Sequence, residues 1–98
     1  MKAPLRPARE AAEMLAIQAL AFMAADPKRR ELFLATTGIA ASEIRTAARE
    51  PGFLAGVLEH MLGSESLLIA FADSAGIDPA TVARARSALC RQEKRDAP

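Results

Sequence analysis

The chain has 98 residues, a formal net charge of +1 and one cysteine. That length makes a single domain able to bury roughly 65% of its unfolded surface. The near-neutral balance falls short of the strongly basic composition of a nucleic-acid binder. Twenty-three alanines, two valines, four phenylalanines and no tyrosine or tryptophan point to an all-α chain.

Residues 1–7 carry Pro4 and Pro7 and read as a flexible arm. From Ala8 to Ala25 the pattern predicts a first helix, with Met14, Leu15, Ile17, Leu20, Ala21 and Phe22 covering more than half its girth. Asp26-Pro27 then opens a second helix, because Asp is a favoured N-cap and Pro suits the first helical position. That helix carries Leu32, Phe33 and Leu34 and stops at Gly38. A short third helix holds Ile44, Ala47 and Ala48 and ends before Pro51; Ser42 with Glu43 is the best cap on offer. The fourth is the clearest by period: Phe53, Val57 and Met61 form one row, and Leu54, Leu58 and Leu62 the next. Gly63 breaks it and Ser64 caps a fifth helix bearing Leu67, Leu68, Phe71 and Ala72, which stops at Gly76. Asp78-Pro79 opens a sixth with Val82, Ala85 and Leu89. The domain is expected to span residues 8–90, with 91–98 a fraying polar tail. No apolar run reaches eighteen residues, and neither a signal peptide nor a membrane span is expected.

Phe33, Gly38, Ile39 and Ile44 recur thirty-eight residues later as Phe71, Gly76, Ile77 and Val82. A glycine just past an apolar run can close a helix in the left-handed conformation without a Cβ penalty. Laying residues 18–47 over 56–85 gives six identities, among them Leu20 on Leu58 and Met23 on Met61. Two explanations stand open: chance matching of alanine-rich helices, or a duplication. The expected fold is a compact orthogonal bundle of five to six helices; under duplication, it is two pseudo-symmetric three-helix units about a twofold axis.

The run Ala19-Leu20-Ala21-Phe22, Ala25-Asp26-Pro27, Phe33-Leu34, Thr37-Gly38-Ile39, Ile44-Arg45, Pro51-x-Phe53-Leu54 and Val57-Leu58, continued by Leu67-Leu68-x-x-Phe71-Ala72 and Gly76-Ile77-x-Pro79, resembles a family of short alphaproteobacterial proteins filed as a domain of unknown function. The resemblance covers about residues 9–89. It implies a small cytoplasmic bacterial helical protein, and carries over no catalytic or binding residue.

Charge is sorted along the chain as +3 over residues 1–49, −5 over 50–80 and +3 over 81–98. Such blocks fit neighbouring helix faces that attract one another. Lys28, Arg29 and Arg30 crowd the first turn of the second helix against its macrodipole, which marks a possible contact for an anion or an acidic partner. A solvated face, partly offset by Asp26 and Glu31, is the plainer account. Ala72, Gly76 and Val82 resemble the core positions of a bacterial helix-turn-helix, and Thr81-Val82-x-Arg84 resembles the lactose-repressor type. On that reading residues 68–89 form a DNA-binding unit in which Thr81, Arg84 and Ser87 could touch nucleic acid. A tight corner in a helical bundle needs the same core residues, and Asp78 repels phosphate. Arg84, Arg91 and Arg95 form a basic stripe that complements the last helix's dipole or faces Glu59, Glu65 or Asp73. His60 reads as a surface histidine, and Cys90 as an incidental reduced thiol in a basic setting of Arg86, Arg91 and Lys94.

No nucleophile–base pair, phosphate loop or metal-ligand spacing occurs. The expectation is therefore a non-enzymatic module without cofactor or metal. Its apolar supply, Met14, Met23 and Met61 included, exceeds what an alanine-rich bundle encloses. A central position for the first helix, a second copy (a homodimer) or another protein partner would cover the rest.

Overall fold

Helix starts and stops follow local chemistry. A computed structural model describes residues 8–96; the expected arm, residues 1–7, and the last two residues of the expected tail lie outside the described residues. Six α-helices follow in order: α1 (Ala8–Ala24), α2 (Pro27–Thr37), α3 (Ile44–Ala47), α4 (Pro51–Leu62), α5 (Glu65–Ala75) and α6 (Pro79–Asp96), with a 3-10 turn at Ala41–Glu43 ahead of α3. Asp26 Oδ2 accepts the Arg29 N–H at 3.3 Å and Ser64 Oγ accepts the Leu67 N–H at 3.4 Å, satisfying first-turn donors of α2 and α5. Asp78 Oδ1 accepts the Ala80 N–H at 2.8 Å ahead of α6. At the 3-10 turn Glu43, not Ser42, supplies the side-chain bond, accepting the Ala40 N–H at 3.1 Å. Ala40 has no side-chain acceptor to reciprocate, so only half of a capping box forms.

The two glycines end α2 and α5 as expected, with Gly38 at φ 76° and Gly76 at φ 69°. Their hydrogen bonding differs. Ile77 N–H donates to the Ala72 carbonyl at 3.0 Å and Gly76 N–H to that of Asp73 at 3.3 Å, the paired bonds of a Schellman motif. At the other corner Gly38 N–H donates to the Leu34 carbonyl at 2.9 Å, and Ile39 N–H turns to Thr37 Oγ1 at 3.4 Å. Ile77 packs against the core; Ile39 is not among the residues that do.

The core lies where α1, α4 and α6 pack against one another, with α2 resting on α1 and α5 on α4. Ala12, Ala16, Ala19 and Met23 form the buried stripe of α1, small enough to bring α4 and α6 close. Leu54, Val57, Leu58 and Met61 face them from α4, and Val82, Ala85 and Leu89 from α6. Each fully buried large side chain contributes roughly 1.5–3 kcal/mol. The chain swings through 109° between α4 and α5, which makes the bundle orthogonal rather than up-and-down. No single helix among the described residues is long and apolar enough to cross a membrane.

The thirty-eight-residue repeat is a structural one over two helices. Leu20 and Leu58, Met23 and Met61, and Phe33 and Phe71 are all buried, and Ala16 and Ala19 are matched by buried Leu54 and Val57. One contact between the halves exchanges as a twofold axis would have it: Phe22 meets Phe71 at 5.5 Å, and their counterparts His60 and Phe33 meet at 5.2 Å. The third helices break the symmetry. Pro51 cuts the first unit short, and α3 has four residues; its counterpart Leu89 is a core residue of the eighteen-residue α6. Helix α6 also continues past residue 90, the expected domain boundary.

Candidate functional site

Helix α1 is apolar around most of its circumference, and the bundle covers only part of it. Met14 and Ile17 remain 50% and 49% exposed. Beside them, α1 and α6 diverge into an open groove of about 900 Å³. Ala11, Ala12, Met14, Leu15 and Gln18 form one wall, and Thr81, Arg84, Ala85, Ser87 and Ala88 the other. Alanines make the floor because α1 and α6 touch there. Met14 and Leu15 supply the apolar wall, and Arg84 is the only charged side chain lining the groove among the described residues.

The three residues suggested for nucleic-acid contact, Thr81, Arg84 and Ser87, thus come together, but against α1. Arg84 donates from Nη2 to Thr81 Oγ1 at 3.3 Å. Ala72 and Val82 are buried and Gly76 is left-handed, as a helix-turn-helix corner needs. Met14 and Leu15 nevertheless flank the face that would have to enter a major groove.

Lys28, Arg29 and Arg30 do not converge, since successive helical residues point about 100° apart. Arg29 lies 4.7 Å over the Phe22 ring with its Nε 3.8 Å from Asp26 Oδ2; such a cation–π contact is worth about 0.5–1 kcal/mol at an exposed site. Arg30 donates from Nη1 to the Ala24 carbonyl at 3.0 Å, placing a cation at the C-terminal end of α1, where the dipole favours it. Lys28 is exposed. Two of the three cations at the start of α2, Arg29 and Arg30, therefore contact the last turn of α1.

His60, expected as a surface histidine, is half-buried beside an open pocket. Its imidazole stands edge-to-face on Phe33, and burial pushes its pKa below the usual value. The signal was present in the repeat, which lays His60 on Phe22. It also lines a smaller pocket of about 540 Å³ with Arg29, Leu32, Thr36, Ser64 and Ser66. Cys90 is half-buried and packs against the core as a small apolar residue. Acidic and basic blocks meet at Arg86, which the expected stripe did not include: its Nη2 lies 3.5 Å from Glu59 Oε2. The side chains of Arg91, Lys94 and Arg95 lie outside those described. No group of three or more His, Cys, Asp or Glu side chains among the described residues could hold a metal ion.

Fold and site together define an all-α domain with an open apolar groove between its first and last helices. The chain belongs to the family described as Protein of unknown function (DUF3572), whose model matches residues 9–92. That span contains the whole stretch, 9–89, over which the sequence resemblance runs. No curated protein and no solved structure matches the chain.

Proposed function

We propose that this protein is a non-enzymatic interaction module, acting in the bacterial, specifically alphaproteobacterial, cytoplasm, whose α1–α6 groove receives a helix from a protein partner. The groove itself carries the reading. Apolar grooves between helices are the usual seat of amphipathic helices, which dock residues spaced i, i+3, i+4 and i+7. The exposed Met14 supports it, because an unbranched thioether adapts its shape to different partners.

The corner at Gly76 keeps a helix-turn-helix DNA-binding regulator as the second reading. It is the weaker one: α1 crowds Arg84 and Ser87, and the exposed Asp73 and Asp78 would oppose a phosphate backbone. Both are tested by NMR titration of the labelled protein at about 150 mM salt, where surface charge is substantially screened. An eighteen-residue peptide with leucines on one helical face and glutamates beside them should shift the amides of Leu15, Gln18, Arg84 and Ser87. Absence of those shifts removes the protein-docking reading, and saturable shifts with duplex DNA in their place establish the regulator.

A further inference from the structure

Among the described residues four large apolar side chains stand exposed: Met14, Ile17, Leu32 and Ile69. The first two belong to α1, beside the groove. Leu32 has Lys28 one turn earlier on α2, so a copy offering that face would bring a cation towards Arg84. Ile69 is different. Glu65 lies four residues before it and Asp73 four residues after, all three exposed along one stripe of α5. Helix α5 contains no cation, and neither Glu65 nor Asp73 is held in an ion pair among the described residues. The receiving side is complementary. Residues 79–90 of α6 carry Arg84 and Arg86 and no acid; Arg86 is engaged by Glu59, and Arg84 on the groove rim has no carboxylate partner among the described residues.

We infer that the groove's occupant is a second copy of this chain, docking the Glu65–Ile69–Asp73 face of its α5 with Ile69 against Met14 and Leu15 and a carboxylate on Arg84. This rests on the protein-docking reading of the groove. The contact is heterologous, joining two different surfaces of the same chain. A single helix laid in a groove buries less than the roughly 1,200–2,000 Å² of a standard interface, so the association is weak and reversible.

Sedimentation velocity tests it. At about 1 mM chain, in the range where such weak contacts populate, the mean mass should rise above the 10.4 kDa of the monomer. It should fall back at about 500 mM salt, where screening removes the carboxylate–Arg84 attraction. Arg84→Glu spoils the groove and Ile69→Asp spoils the docking face; both positions are exposed, and circular dichroism checks that each variant folds. Each variant alone should be monomeric. Mixed, they should form a one-to-one pair, because the first keeps an intact α5 face and the second an intact groove. A wild-type chain that stays monomeric, or a mixture that does not pair, overturns the inference. If the leucine–glutamate peptide still shifts the groove amides, the docking reading survives that failure; if it does not, both fall.

Discussion

From α1 to Gly38 and from α4 to Gly76 the chain uses the same devices twice. An apolar helix ends, a polar side chain caps the third N–H ahead of it, an eleven-residue helix follows, and a left-handed glycine closes it. Beyond each glycine the two halves part company. The first is stopped by Pro51, and its third helix ends after Ala47; the second has Leu89 at that place and runs on as α6 to pack against both α1 and α4. A proline disfavours helical backbone in the residue before it, and Glu50 is extended (φ −101°, ψ 128°), so the third helix of the first half cannot run on through Pro51. The lesson is that local punctuation was repeated while core membership was not. Helices α6, α4 and α2 all pack on α1, yet among the described residues the groove between α1 and α6 stays open.

Three measurements would break or sharpen the comparison. The largest effect is expected after the glycines. Leu89→Ala removes a fully buried side chain and should cost about 2–5 kcal/mol in urea unfolding. Ile44→Ala, at the half-buried rim of the other unit, should cost only about 1 kcal/mol; equal losses would mean that α3 is as deeply built into the core as α6. Next come the glycines. A Cβ at Gly38 or Gly76 would meet nothing within 4 Å, so alanine at either pays only for the left-handed backbone, about 1–2 kcal/mol. The two losses should agree closely although one corner is a Schellman motif, and asparagine should restore part of each. A loss at one corner alone would show that the glycines are not equivalent.

The smallest effect concerns the one titratable side chain placed where the repeat has phenylalanine. His60 has a folded pKa below its unfolded value near 6.5, owing to burial. The unfolded chain therefore binds more protons as pH drops below about 6.5. Stability should be constant above that pH, decline as pH falls from about 6.5 towards the folded pKa, and level off below it. His60→Phe should flatten this part of the pH profile, and an unchanged profile would place His60 in solvent.

Much of the fold was legible because it is local. Asp26, Ser64 and Asp78 cap as their positions predict, since a cap needs only its own side chain and an N–H two or three residues on. Gly38 and Gly76 adopt positive φ because the chain must reverse where an apolar run ends. The site was only partly legible. Thr81, Arg84 and Ser87 are neighbours on one helix by spacing alone, yet α1 as their opposite wall is a contact between residues far apart in sequence. The same distance hid the tasks of Arg29 and Arg30 at Phe22 and Ala24, and the choice of Arg86 for Glu59.

By itself, the sequence determined six helical segments, their caps and their two left-handed stops, for hydrogen bonds a few residues long carry that information. Tertiary structure alone decided that the His60 imidazole stands on Phe33 and that the α1 stripe is buried against α4 and α6. It also decided that a groove opens along α1. Those outcomes depend on which apolar faces meet across the chain, and a helical stripe states that it will be buried without stating against what.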